Sequence, residues 1–157
     1  MNAVALEAPS ERVSVAVSLI VMALGLVSAA GLWLPVAAKG PFGVTVRYLA
    51  ELGYASPLAV IPMGLFAVGP LVILIGLFAL TGRLRTMTPW LFALGSVGLL
   101  LSAHGVLEGI DHIRAFENSC MPLRGAADLD APIGLGVGGT MQLVAYGGLL
   151  LLVFGRR

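Results

Sequence analysis

Four side chains near the end of one apolar stretch have the types and spacing to do chemistry: His104, Glu108, Asp111 and His112. On a helix, His104–Glu108 and Glu108–His112 are i,i+4 pairs and Glu108–Asp111 is an i,i+3 pair, so each can touch the next. With His104 at zero, a helix places Glu108 at about 40°, Asp111 at about −20° and His112 at about 80°. All four therefore share one face. Imidazole and carboxylate groups arranged this way suit zinc, manganese or iron, with His104, Glu108 and His112 as the candidate metal ligands. The same groups can hand on a proton, or hold the polar head of a quinone or lipid.

Several readings are limited by what the rest of the chain supplies. A catalytic metal wants three protein ligands in a rigid cage, and one helix rarely provides them. Outside this patch the polar groups that could help are few: Thr140, Gln142 and Tyr146 in the last apolar stretch, and Glu51 or Tyr54. Haem needs axial ligands on opposite faces of the iron, but His104 and His112 would stand about 12 Å apart along one helix. Cys120-Met121 together with His112 could hold a soft ion such as Cu(I), yet offers one thiolate. The glycine run 134–139 lacks the strand and the glycine register of a nucleotide fingerprint. No serine sits in a nucleophile elbow. No cofactor is specified. Gln142 is an amide in an apolar stretch and needs a partner, either as interhelical glue or as part of the ligand-binding patch.

The elements that must position these groups follow from composition. Of the 157 residues, 59% are hydrophobic and 11% charged, which is far below the charge of a water-soluble domain. Charged residues are absent from 13–35 and from 56–82. Covering a hydrocarbon layer of about 30 Å takes about 20 apolar residues in a helix. Four segments qualify, at about 13–34, 57–80, 90–110 and 133–154. The expected fold is an all-α, four-helix transmembrane bundle forming one domain over 1–157, rather than a barrel of short alternating strands. The first stretch follows Arg12 as a secretory signal would, but is longer than a signal's apolar core and is read as a retained span.

Trp33 and Trp90 fall at expected interfaces. With the N-terminus inside, Arg12, Arg83, Arg85, Arg156 and Arg157 lie inside, against Lys39, Arg47, Arg114 and Arg124 outside. This multi-pass arrangement puts both termini in the cytoplasm. Thr81–Thr88 reads as a short inner loop. In the first outer loop, residues 45–52 read as a short interfacial helix, with Arg47 and Glu51 paired at i,i+4 and Gly53 as its stop. The second outer loop begins as an extension of the third helix to about Asn118 and continues as irregular chain past Pro122 and Gly125.

Close packing of small residues is the expected adhesive between spans. Gly98, Ser102, Gly105 and Gly109 line one side of span three, beside the polar arc, and span four carries Gly134, Gly136, Gly138, Gly139, Gly147 and Gly148. These faces can join helices within the chain, to other membrane subunits, or to a second copy. Pro62 and Pro70 are expected to kink span two. A net charge of +1 with no basic stripe excludes a nucleic-acid partner, and a single cysteine excludes an intrachain disulfide, leaving Cys120 free or bridged to another chain. The leading functional expectation is a non-enzymatic subunit or binding module in the lipid bilayer, whose patch meets a partner, a lipid headgroup or quinone, or a proton path. The alternative is a metal-dependent membrane enzyme using His104, Glu108, Asp111 and His112.

Overall fold

The computed structural model describes residues 9–39, 45–47, 60–120 and 132–155. These are mostly helical. Helix α1 covers Pro9–Gly31, α2 Val60–Phe78, α3 Leu84–Cys120 and α4 Val137–Phe154. Strands β1 (Pro35–Lys39), β2 (Thr45–Arg47) and β3 (Ile133–Leu135) form one antiparallel sheet in the order β2-β1-β3. Among the described residues, three helical segments are long and apolar enough to cross a membrane: Gly64–Thr81, Thr86–Phe116 and Val137–Phe154.

Glycine contacts set the packing order. A Cβ on Gly25 of α1 would lie 2.7 Å from Ile73 Cγ1 of α2, and one on Gly76 would lie 2.5 Å from Met22 Cγ, so α1 and α2 run antiparallel at close range. Gly98 of α3 faces the ring of Tyr146, and Gly139 faces Val106, which makes α3 and α4 antiparallel. Gly31 meets Gly138, while Ser28 donates to the Tyr146 hydroxyl oxygen, closing α4 back onto α1. Gly64 approaches Leu101, completing the circuit between α2 and α3. Such approaches let backbones meet where lipid gives no hydrophobic drive for helices to associate. The glycine faces of α3 and α4 are thus used largely within the chain, although Gly147 meets nothing within 4 Å.

The core runs through the middle of the four helices, with Val21, Leu65, Val72, Leu91, Tyr146 and Leu149 almost fully buried. The outside is equally apolar. Leu26, Phe66, Leu100 and Leu151 are all more than half exposed, a surface that only a nonpolar solvent matches.

The small sheet corrects the all-α expectation, and it does so at two places. Thr45–Arg47 is a strand, not the start of an interfacial helix, because β-branched Thr45 and Val46 pair with β1 and Val46 is fully buried. Residues 48–52, including Glu51, lie outside the described residues. Ile133–Leu135 is a strand rather than the beginning of span four; the Gly136 amide donates to the Val36 carbonyl at 2.7 Å and the helix starts one residue later. A four-residue helical spacing in 45–52 was a weaker force than burial of Val46 beneath Gly109, whose Cβ would be 3.8 Å from it.

The expected inner loop 81–88 is helical too. The chain passes from α2 through a π-helical turn, Ala79–Arg83, straight into α3, with Pro89 inside that helix and the Thr81 hydroxyl bonded to the Phe78 carbonyl. The helix of the third stretch therefore starts before Trp90 and, as expected, continues past Ile110, here to Cys120. Pro57 lies outside the described residues.

Candidate functional site

The third helix carries the patch, and the contacts of its buried residues decide which way the patch faces. Leu91, Gly98, Ser102, Val106, Gly109 and Ile113 turn inward. At about 100° per residue these centre on one side of α3, and His104 and Asp111 fall on the side opposite. His104, Asp111 and His112 are exposed, while Glu108 is half-buried. The sequence places the polar arc beside the packing face and therefore near a neighbouring helix. In the structure its central residues look outward, away from α4.

Depth comes from the pairings between elements. Phe92 meets Phe154 edge-on at 5.5 Å, marking one end of the apolar layer. Val106 faces Gly139 and Gly109 faces Ala37 of β1, marking the other end, where the sheet begins. From Gly139 to Phe154 along α4 these levels are about 23 Å apart. Glu108 therefore stands at the level of the sheet, His104 about 6 Å along α3 towards the Phe92 end, and Asp111 and His112 about 5–6 Å along it in the other direction.

Two pairs form within the patch. His104 Nε2 and Glu108 Oε1 are 3.8 Å apart, near enough for charge attraction but beyond hydrogen-bond length. Asp111 Oδ1 accepts from Arg114 Nη1 at 3.2 Å, on an exposed turn where such a pair is worth little. His112 joins neither pair. Among the described residues, no group of three His, Cys, Asp or Glu side chains is placed to hold a metal ion. Glu51, Tyr54 and Met121, which could have contributed, lie outside the described residues, as does the side chain of Cys120.

Gln142 is not part of this patch. It is fully buried between α1, α3 and α4, with its Oε1 3.3 Å from Ser102 Oγ and its Cγ against Gly31. Ser102 Oγ also lies 2.7 Å from the Gly98 carbonyl, the better acceptor for its single proton. The Gln142 Nε2 has no partner among the described residues. One turn along α4, Tyr146 bonds Ser28. Tyr146 is a structural centre that the sequence does not single out: the i,i+4 spacing Gln142–Tyr146 is visible there, but its partner Ser28 is not. Together the two pairs tie α4 to both α3 and α1. Leu91, Leu149 and Val153 close the core on the far side, so this polar strip ends in apolar packing.

The unpaired amide makes a test. Ser102→Ala removes the polar neighbour of the buried Gln142 amide and is expected to cost about 1–3 kcal/mol, whereas Gln142→Leu, which removes the amide itself, is expected to be neutral or stabilising. Thermal unfolding in detergent reads both; a larger loss in Gln142→Leu than in Ser102→Ala would reverse the assignment of this amide as an under-satisfied group.

No family model matches this chain, and neither a curated protein nor a solved structure is significantly similar to it.

Proposed function

We propose that this chain is a non-enzymatic membrane protein that crosses the bilayer four times and uses the outward face of α3, at His104 and Glu108, to bind a polar group at the membrane edge. The observation that carries the reading is the orientation of His104: a half-exposed imidazole one turn from the sheet level towards the middle of α3, with no hydrogen bond among the described residues. Ionisable groups facing hydrocarbon are expensive, and they persist where something outside the helix satisfies them.

Helix α1 acts as the fourth span. It has 23 residues, or about 35 Å, and its apolar part, Val15–Gly31, packs against α2 and α4 across the same layer. Its outward side chains, Leu19, Ile20 and Leu26, are as apolar as those of the other helices. The ends of α1 and α4 that carry Arg12 and precede Arg156 face the same side, which the positive-inside bias makes cytoplasmic. The sheet and the patch then face the outer surface.

Leu107 tests the binding face, being more than half exposed on the same side of α3 as His104. A photoreactive residue in its place should yield an adduct of one molecular class, reduced severalfold when Glu108→Gln and His104→Leu are added. Equal adduct yields with and without those substitutions would mark the face as ordinary lipid-contacting surface and end this proposal.

A further inference from the structure

We propose that the ligand of the His104–Glu108 face is a phospholipid whose headgroup carries a primary ammonium, with Glu108 holding the ammonium and His104 the phosphate. This rests on the outward face being a binding surface, and it names the occupant.

Three features of the face select that chemistry. Its depth is that of a headgroup: Glu108 stands at the level where Gly109 meets β1, and His104 about 6 Å nearer the membrane centre. Its order along the helix matches as well. The phosphate of a phospholipid lies next to the acyl chains and the ammonium beyond it, while here the imidazole donor is the deeper group and the carboxylate the outer one. Its charge completes the match. Asp111 is neutralised by Arg114 at 3.2 Å, whereas Glu108 has at most a 3.8 Å contact with an imidazole and no hydrogen-bond donor among the described residues. A carboxylate in that position takes a cation with N–H donors, because charge-assisted hydrogen bonds are the strong ones.

Below the polar pair, Leu100 and Val97 are exposed on the same side, giving the acyl chain an apolar track. A second copy of the chain fits this face poorly. Two copies share one membrane orientation, so a two-fold contact along α3 would set each outward residue against itself. His104 would meet His104 and Asp111 would meet Asp111, which pairs like with like. A choline headgroup has the charge but no N–H to donate, and a glycerol headgroup has no cation.

The experiment uses the full chain in nanodiscs containing equal amounts of phosphatidylethanolamine, phosphatidylcholine and phosphatidylglycerol. Lipids retained after gentle extraction are read by native mass spectrometry for the wild type, Glu108→Gln and His104→Leu. The expected result is about tenfold enrichment of the ethanolamine lipid over the choline lipid, as one charge-assisted hydrogen bond supplies. Glu108→Gln should return the ratio to that of the disc, and His104→Leu should lower retention of all phospholipids at this site. Both side chains lie outside the core, so each variant should keep the wild-type unfolding temperature. Retention in bulk proportion by the wild type, enrichment of phosphatidylglycerol, or an unchanged ethanolamine preference in Glu108→Gln would each overturn the proposal. If the photoreactive residue at 107 instead captures a protein helix, the binding face stands and the lipid assignment falls.

Discussion

Gly138→Ala is expected to disrupt the protein more than any other single-methyl change on α4 apart from its cap. A Cβ there would lie 2.4 Å from the Gly31 carbonyl oxygen and 2.5 Å from that of Leu34, against 3.4 Å for ordinary contact. Both obstacles are backbone, so no side chain can rotate aside. Relief requires the end of α1 to move away from the start of α4, and that separation carries β1 with it, because the Gly136 amide bonds the Val36 carbonyl at 2.7 Å. Overpacking of this kind costs about 1–3 kcal/mol and at times more, while alanine returns at most about 1 kcal/mol in helix propensity. The clash wins. Gly147→Ala is the control: nothing lies within 4 Å of its added methyl, so the same chemical change should leave stability unchanged or slightly raised. The midpoint of thermal unfolding in detergent distinguishes the two. Equal midpoints would mean that α1 and α4 do not approach as closely as 2.4 Å implies.

Tyr146→Ala is the second large effect. The ring is buried to 1% exposure, packs against Gly98, and carries a hydroxyl that accepts from Ser28 across the core. Removing a buried aromatic ring leaves a cavity that costs about 3–5 kcal/mol. Tyr146→Phe keeps the ring and loses only the hydroxyl, leaving Ser28 to return its proton to its own helix; the expected cost is about 1 kcal/mol. The ratio between these variants measures how much of the α1–α3–α4 junction is shape and how much is hydrogen bonding. If Tyr146→Phe cost as much as Tyr146→Ala, the hydroxyl and not the ring would be the stabilising element. Gly98→Ala should resemble Tyr146→Ala in direction, since its methyl would sit 2.4 Å from the ring carbon Cε1.

These predictions concern the junction, and the junction was only partly legible. The small residues Gly98, Ser102 and Gly109 stood out by spacing, because i,i+4 glycines have few other uses in an apolar helix. Which helix each would meet was not written there. Gly98 takes a ring from α4, Ser102 an amide from α4, and Gly109 a strand, Ala37 of β1. The patch shows the same division. That His104, Glu108, Asp111 and His112 share one arc follows from helical geometry and is fixed by their numbers. Whether that arc faces a neighbour or the outside depends on where α4 and α2 pack, and the position of Gly98 against Tyr146 turns it outward.

The sequence by itself determined the solvent and the main elements. A charge-free stretch of about twenty residues can bury its backbone polar groups in lipid only as a helix, so the three helices apolar enough to cross a membrane, and the shorter apolar helix of the first stretch, were dictated locally. It also determined the depth order of the polar groups, since rise per residue is constant. Only the tertiary structure decided the three-stranded sheet, because β3 comes from a segment about a hundred residues from β1 and β2, and Val36, Ala37 and Val46 gain their burial from each other and from Gly109. It alone separated Gln142 from the His104–Glu108 pair, placing one in the core and the other on the outside. Helical pattern is local and can be read from neighbours in sequence; facing is a property of pairs of elements, and it appears only when those elements meet.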